Sequence, residues 1–167
     1  FVEYYKGTEL EIWEKYSTVI KTILYGFKSN DYQSVRCNEN GLLNVSFNNE
    51  PHTWMNARVD NNAITLRDGM TIEANSLWYN AIMFSISLAE KANDDDFVKE
   101  WKEVSNLIFN NFKNVFWNKD RGYLADYVNE NVVNWAIRPN MIFAASLPFS
   151  PVSEKIQSLI IEKIRAV

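Results

Sequence analysis

The sequence predicts an all-α fold, and three observations support this prediction. Apolar residues recur at helical spacing in several long segments, and typical helix-start patterns precede some of them. No regular alternation of strand and helix patterns runs along the 167 residues. Hydrophobic residues make up 47% and aromatic residues 14% of the chain, which excludes disorder and is enough for one domain with a sizeable core.

The first predicted helix begins at Thr8. A glutamate, Glu11, follows three residues later, and each of the two side chains can bond a free backbone N–H group of the other. The apolar face that follows consists of Ile12, Trp13, Tyr16, Val19, Ile20, Ile23, Leu24 and Phe27. We expect this helix to end near Ser29-Asn30.

A small hairpin or irregular excursion is predicted between the first two helices, within residues 34–46, because Gly41 separates two short apolar runs there. Residues 75–89 are apolar on nearly every side, so we expect the second helix to be buried. Acidic residues at 94–96 suit the start of the third helix, since the helix dipole favours negative charge there. Its inner face consists of Phe97, Trp101, Val104, Ile108 and Phe112.

The last part of the chain predicts two more helices. Residues 123–128 and 132–133 have the composition of two short strands that turn at 129–131. Pro139 suits the first turn of a fourth helix, and Pro148 ends it. Ser150-Pro151 opens the fifth, whose apolar residues are Val152, Ile156, Leu159, Ile160 and Ile164.

The charge pattern and rare residues exclude several functions. The net charge is −4 and the lysines and arginines are dispersed, so we expect neither a nucleic acid nor an anionic membrane as a partner. The single cysteine, Cys37, cannot form an internal disulfide, and the single histidine, His52, cannot build a His-based metal site alone. No apolar run reaches the roughly 18 residues of a membrane helix. A neutral ligand fits this pattern best.

Two connections, residues 47–71 and 114–138, are longer than simple connectors and are predicted to carry the site. A glycoside hydrolase needs a proton donor, a second carboxylate, side chains that bind hydroxyls and an aromatic ring for stacking. Candidates in and just after the first connection are Trp54, Arg58, Asp60, Arg67, Glu73, Trp78 and Asn80. The alternative is that both indoles fill the core and that the charged groups lie on the surface.

Three longer strings carry a resemblance to a known family. They are residues 53–59, 72–81 and 137–150, whose sequences are TWMNARV, IEANSLWYNA and IRPNMIFAASLPFS. In order and spacing they resemble signature stretches of the glucosidase domain of glycogen debranching enzymes. The similarity runs from about the first helix to the last, and covers only part of that family's catalytic domain.

The resemblance implies a fold and a location. The family's domain is a toroid of six helical hairpins, similar to glucoamylase, and five helices cannot close such a ring. We therefore expect a partial (α/α)6 toroid, with residues 1–167 as a fragment truncated at both ends. Residues 163–167, for example, contain no helix stop signal. A cytoplasmic location is also implied.

The resemblance also implies an activity. The family removes, with inversion, the single α-1,6-linked glucose left after branch shortening of glycogen, without an organic cofactor or a metal. The expected partner is therefore glycogen or a related branched α-glucan. Inversion needs an acid and a base roughly 6.5–9.5 Å apart. The motifs in which we expect the base lie beyond Val167, so the isolated chain is expected to be inactive.

Position 56 departs from the family pattern. The family usually has Thr-Trp-Met-Asp, and this Asp is a plausible general acid, whereas this chain has Asn56. An amide cannot deliver the proton, so either activity is weakened or Asp60 or Glu73 takes the role. Glu73 matches the family and could accept sugar hydroxyls, act as the acid, or only stabilise the helix dipole.

Arg138 and Asn140 also match the family, and they either bind glucose or hold their loop against the following helix. Two other functions stay open beside hydrolysis. One is a catalytically silent glucan-binding helical domain that keeps the cleft. The other is a helical scaffold for protein partners, which predicts exposed apolar patches rather than one polar-lined cleft.

Overall fold

The computed structural model describes residues 8–32, 34–45 and 52–166. Within these ranges the chain forms five α-helices, as predicted. They are α1 (Glu9–Lys28), α2 (Ile72–Lys91), α3 (Asp95–Phe116), α4 (Ile142–Ser146) and α5 (Glu154–Arg165). A 3-10 turn, Pro139–Met141, directly precedes α4.

Short antiparallel sheets fill the connections. Three two-stranded sheets pair β1 (Arg36–Cys37) with β2 (Leu43–Asn44), β3 (Arg58–Val59) with β4 (Asn62–Ala63), and β6 (Trp117–Asn118) with β7 (Tyr123–Leu124). A three-stranded sheet has the order β5 (Met70–Thr71), β8 (Tyr127–Val128), β9 (Val133–Asn134). The fold is therefore mainly helical with minor β-hairpins, as predicted, but it is not purely all-α, because a three-stranded sheet also forms.

Helix α1 begins with the predicted capping box. The Thr8 N–H donates to Glu11 Oε2 at 2.6 Å, and the Glu11 N–H donates to Thr8 Oγ1 at 3.2 Å. Part of the predicted apolar face is buried, including Leu24, but Val19 and Ile23 are 56% and 45% exposed. Only one side of this face is therefore covered within the described residues.

Helix α2 is the central element, since it packs against α1, α3 and α4. Trp78 on α2 meets Trp101 on α3 edge to face, with ring centroids 5.9 Å apart. The prediction of a buried helix is largely correct, but Leu77 is 45% exposed because it lies on the side of α2 that none of the other described helices covers. None of the helices in these ranges is both long and apolar enough to cross a membrane.

Local hydrogen bonds set where α3 and α5 begin. Asp94 caps α3 by accepting from the Phe97 N–H at 3.4 Å. Helix α5 begins later than predicted, because the hydroxyl of Ser150 donates to the Ala144 carbonyl at 2.7 Å and accepts from the Val152 N–H at 3.1 Å. These bonds hold a turn in place of a first helical turn.

The predicted strand at residues 123–128 is divided in two. Its first half pairs with β6 and its second half with β9, because Asp126 between them turns its side chain into the interior. The predicted turn at 129–131 is present, with the Asn129 N–H donating to the Val132 carbonyl at 2.9 Å. The pairing of β8 with β5 was not predicted, and it joins the two long connections.

A second unpredicted feature is the hairpin of β3 and β4. Its turn residues, Asp60 and Asn61, both have positive φ, at 49° and 63°. A tight two-residue hairpin turn requires the left-handed backbone conformation at both of its central residues. Apart from glycine, Asp and Asn tolerate this conformation best. The hairpin carries Arg58 and Asp60 on an exposed loop.

Candidate functional site

The pairing of β5 with β8 brings together charged side chains from both long connections. Immediately beside it, the Ile72 N–H at the start of α2 donates to the Asp126 carbonyl at 3.1 Å. The charged residues therefore converge although they are far apart in sequence. We call the group Arg67, Glu73, Asp126, Arg138 and Asn140 the polar cluster.

Arg67 is the centre of the polar cluster and is 2% exposed. Its Nη1 and Nη2 donate to the two carboxylate oxygens of Glu73, with Nη2 to Oε2 at 2.6 Å. Its Nε and Nη2 donate to Asp126 at 2.8 and 3.0 Å. Burial lowers the pKa of Arg67, but the hydrogen bonds and charges of Glu73 and Asp126 outweigh it, and the net shift is upward.

Arg138 and Asn140 complete the polar cluster. Arg138 Nη1 donates to Asp126 Oδ2 at 2.6 Å, and Asn140 Nδ2 donates to Asp126 Oδ1 at 2.7 Å. The side chain of Arg138 is 27% exposed, whereas those of Arg67 and Asp126 are both 1% exposed. The two arginines balance the formal charges of the two carboxylates, as buried ions require.

A shallow cleft of about 410 Å³ lies beside the polar cluster. Its lining residues are Trp54, Glu73, Leu77, Pro139, Asn140, Ile142 and Phe143. Trp54 is 61% exposed, and its indole Nε1 donates to Asn140 Oδ1 at 3.0 Å. An exposed ring, apolar walls and a polar group at the base suit a ligand with both an apolar face and hydroxyl groups.

The other predicted site residues lie away from this cleft. Trp78 is buried in the core, where its Nε1 donates to the Gly41 carbonyl at 3.2 Å. Asn80 Oδ1 accepts from the Phe149 N–H at 3.1 Å and so holds the chain before α5. The exposed hairpin carries Arg58 and Asp60, neither of which lines the cleft.

Asn56 is exposed and lies between Trp54 and the hairpin of β3 and β4. It does not line the cleft. Of the two carboxylates that were proposed as alternative acids, only one does. Glu73 lines the cleft beside Trp54, whereas Asp60 does not. Of the residues proposed from the sequence, the cleft thus contains Trp54, Glu73 and Asn140, and the polar cluster behind it adds Arg67 and Arg138.

Asp126 is the residue that the sequence analysis missed. Both of its carboxylate oxygens accept two hydrogen bonds from other side chains, which fills its four lone-pair positions. The sequence does contain a signal for this residue, because Asp126 is the one charged residue in the otherwise apolar or aromatic run 123–128. A carboxylate in such a run needs a buried cationic partner.

Cys37 and His52 lie outside the polar cluster. Cys37 is half-buried, and burial raises the pKa of its thiol. His52 lines a second cleft of about 320 Å³, which is mostly apolar and lies on the other side of Leu77. In the part of the chain that the structure describes, no three His, Cys, Asp or Glu side chains are grouped to hold a metal ion.

Comparison with solved structures finds a similar fold in a GH78 family rhamnosidase from Bacillus sp. GL1, with a TM-score of 0.64 and 16% identity. The match covers 92% of this chain and 14% of the rhamnosidase chain, so this chain corresponds to a small part of that protein. At this identity the similarity concerns the fold alone. Among curated proteins, none matches.

The family comparison agrees with the three sequence strings. The family model described as amylo-alpha-1,6-glucosidase matches residues 1–167, which is the whole chain. The strings contain every residue of the cleft, and all of the polar cluster except Arg67 and Asp126. The chain therefore belongs to the amylo-alpha-1,6-glucosidase family, the C-terminal domain of glycogen debranching enzymes.

Proposed function

We propose that this chain is part of the catalytic domain of an inverting glycoside hydrolase that removes α-1,6-linked glucose stubs from glycogen or a similar branched α-glucan. The observation that carries the proposal is the exposed indole of Trp54, fixed beside an apolar cleft in a chain of this family. The same assignment implies the cytoplasm, where glycogen is stored, as its location.

The charges around the cleft support a neutral sugar as the ligand. The carboxylates of the polar cluster are balanced by its arginines, so the described residues place no uncompensated charge at the cleft to attract an ion. The exposed face of Trp54 suits the C–H face of a pyranose, and partly exposed Arg138 offers donors for its hydroxyls. We assign glucose binding to Trp54, Arg138 and Asn140.

The contacts of Glu73 bear on which residue acts as the acid. Both of its oxygens accept hydrogen bonds from Arg67, so this bidentate contact occupies the carboxyl group and directs it away from a leaving oxygen. We therefore assign Glu73 to holding Arg67, and position 56 to the acid of the family. With Asn56 at that position, Asp60 is the other candidate acid proposed from the sequence, and weak turnover follows.

We also propose that the helices belong to a partial (α/α)6 toroid. The consecutive helices α2 and α3 pack against each other, as do α4 and α5, which is the pairing that such a ring repeats. The uncovered side of α2 carries Ala74, Leu77 and Ala81, and this apolar side suits a contact with further helices of the ring.

A second candidate function is glucan binding without hydrolysis. Two observations favour it, namely the amide of Asn56 where the family has a carboxylic acid, and the pairing of Glu73 with Arg67. Such a protein keeps the Trp54 cleft and the affinity for sugar but lacks a proton donor. Both functions require binding of the glucan, and only hydrolysis releases glucose.

The test uses the protein that contains this chain and a branched α-glucan trimmed to single α-1,6-linked glucose stubs. Release of glucose, with the β-anomer detected first by NMR, supports hydrolysis with inversion. Retarded migration in a gel that contains the glucan, without glucose release, supports silent binding. Neither release nor retardation contradicts both functions, and a linear α-1,4-glucan is the control for linkage.

A further inference from the structure

Asp126 has no free position for a substrate. Its backbone is fixed from two sides, because its N–H donates to the Asn134 carbonyl at 2.8 Å and its carbonyl accepts from Arg67 Nη2 at 3.0 Å. Its side chain is 1% exposed and already accepts four hydrogen bonds. It therefore cannot accept a sugar hydroxyl, and any effect it has on the ligand must pass through its partners.

Asn140 is the partner that leads from Asp126 to the cleft. The carboxylate oxygens of Asp126 act as acceptors in all of these contacts, so the group of Asn140 that faces Asp126 at 2.7 Å is the amide nitrogen. The amide oxygen is then directed to the opposite side. There it meets the indole Nε1 of Trp54 at 3.0 Å, a group that only donates. Both contacts require the same orientation of the Asn140 amide.

The indole of Trp54 depends on this orientation. The side chain is 61% exposed, so packing restrains it weakly, and its hydrogen bond to Asn140 fixes the plane of the ring beside the cleft. If the amide of Asn140 turned over, its NH₂ group would face the indole N–H, and two donors would oppose each other. The carboxylate of Asp126 prevents this.

We propose that Asp126 is a positioning residue that sets the plane of the Trp54 indole through the Asn140 amide. This three-residue relay rests on the function proposed above, because it gives the indole the role of a platform for a sugar ring. The other oxygen of the same carboxylate, Oδ2, accepts from Arg67 and Arg138, so Oδ1 is the oxygen that leads to the platform.

The first experiment measures the relay without any sugar. The protein is labelled with ¹⁵N-tryptophan, and the indole N–H signal of Trp54 is identified by its loss in Trp54→Phe. We expect Asp126→Asn and Asn140→Ser each to shift or broaden that signal, while the buried Trp101 signal is unchanged. Asp96→Asn, an exposed substitution on α3, is the matched control and leaves the Trp54 signal in place.

The second experiment is a double-mutant cycle on glucan binding. With Trp54 present, Asp126→Asn is expected to weaken binding of a branched α-glucan about two- to tenfold, the usual range for one hydrogen bond. In Trp54→Phe, which keeps a ring but has no N–H, the same substitution should cost less than about twofold. Equal losses in both backgrounds overturn the relay, since Asp126 would then act independently of the indole.

Folding defects and failure of the proposed function are distinguishable from failure of the relay. If Asp126→Asn does not fold, Asn140→Ser breaks the relay and keeps both arginines paired with carboxylates, so the measurement of the indole signal applies to it. A wild-type protein that binds no glucan contradicts the proposed function. A Trp54 signal that is unchanged in Asn140→Ser, or in a folded Asp126→Asn, contradicts the relay.

Discussion

Arg67 joins two carboxylates, Glu73 at the start of α2 and Asp126 in the second long connection, and this makes it the side chain on which the polar cluster depends. It lies at the centre of the cluster and contacts both Glu73 and Asp126. A buried pair of this kind contributes little when compared with an apolar replacement of the whole group, but removing one partner alone is costly. The loss leaves charges buried without compensation.

The first prediction concerns the removal of this side chain. Arg67→Met should lower the free energy of unfolding by about 3–5 kcal/mol, because two buried carboxylates lose their main partner. Urea denaturation of the chain measures the loss. The matched control is Arg58→Met, an exposed arginine on the β3–β4 hairpin, for which we expect less than about 1 kcal/mol. Similar losses in both variants would contradict the central role of Arg67.

The second prediction concerns the acid. In the protein that contains this chain, Asn56→Asp should raise turnover by about 10²- to 10⁴-fold, because it supplies a proton to the leaving oxygen. Substrate binding should change much less, since only the transition state needs the proton. Turnover measured against pH, together with the affinity, checks this prediction.

Glu73→Gln is the companion substitution for that measurement. If Glu73 were the acid, its loss would abolish turnover, and Asn56→Asp would leave turnover nearly unchanged while moving the pH optimum upward. Glu73→Gln also weakens the bidentate pair with Arg67, so its unfolding must be measured beside its activity. An Asn56→Asp protein with wild-type turnover excludes position 56.

The site residues show what a sequence can reveal. Trp54, Glu73 and Asn140 could be proposed because they lie in strings that resemble a family. Asp126 could not be found by the same route, because it lies outside those strings and its partners are far away along the chain. Trp78 and Trp54 are the same residue type in similar strings, yet one lies in the core and the other is exposed. Only the packing of α2 against α3 distinguishes them.

At the scale of elements, α1 is tied to α3 by two ion pairs. Lys21 Nζ lies 2.6 Å from Asp94 Oδ2, and Lys28 Nζ lies 2.5 Å from Glu100 Oε1. Burial alone would raise the pKa of Asp94, but the hydrogen bond and charge of Lys21 lower it overall. The hydrogen bonds from Lys28 and Tyr25 lower the pKa of Glu100.

The third prediction follows from the sign of these shifts. A carboxyl group whose folded pKa lies below its unfolded value stabilises the fold above the unfolded value, about 4. That contribution is lost as the pH falls below about 5 and through the lowered folded values. The double variant Asp94→Asn, Glu100→Gln should therefore lose less stability between pH 6 and pH 3 than the wild type, as measured by thermal unfolding.

The partner lysines provide the control for this pH dependence. Lys21→Met and Lys28→Met remove the cause of the lowered pKa values and leave the carboxyl groups in place. They should flatten the dependence of stability on pH in the same direction. The effect is modest, because all four side chains are partly exposed. A pH dependence identical to that of the wild type would contradict the assignment.

The fourth prediction tests the strand pair that joins the two connections. Gly69 precedes β5 with φ of 103°, and a Cβ atom there would clash with the Val128 carbonyl oxygen. Gly69→Ala should thus combine backbone strain with a backbone clash and destabilise the chain by more than about 2 kcal/mol. Gly122 has φ of 71° but no atom within 4 Å of its Cβ position.

Gly122→Ala is therefore the matched control, since it introduces the strain without the clash. We expect a loss of about 1–2 kcal/mol for it, and chemical denaturation of the two variants gives the difference. Gly69→Ala should also broaden the Trp54 indole signal, because it displaces β8 and with it Asp126. Equal losses for the two glycines would mean that β5 and β8 are free to move apart.

The elements differ in how well the sequence predicts them. All five helices were predicted, because each carries a capping residue, a proline or an apolar period over three or more turns. The strands contain two residues each, which is too short for any period, and the partner of β8 is set by tertiary packing. The hairpin at Asp60 could have been predicted from its Asp-Asn pair, which resembles the usual turn sequences.

For the molecule as a whole, the uncovered side of α2 decides how the chain behaves alone. The apolar groups on this side line both clefts, and Leu77 is the most exposed of them. The fifth prediction is that the isolated chain has a helical circular dichroism spectrum and self-associates as its concentration rises. Sedimentation measurements check this.

Leu77→Gln should shift that association toward the monomer, because it places a polar group at the centre of the apolar side. Val132→Gln, on the exposed turn after β8, is the control and should leave the association unchanged. A stable monomer at every concentration would contradict both the partial ring and a scaffold that binds protein partners through this side. The angles between helix pairs could not be predicted, because the spacing of apolar residues does not encode them.

The distance along the chain between Arg67 and Asp126 has a consequence for the order of folding. The two residues are 59 positions apart, and the segment between them contains the whole α2–α3 pair. Contacts across so long a loop form late, after the local helical contacts that shorten it. We therefore expect Arg67 and Asp126 to meet after the main folding barrier, so that their contact affects the rate of unfolding more than the rate of folding.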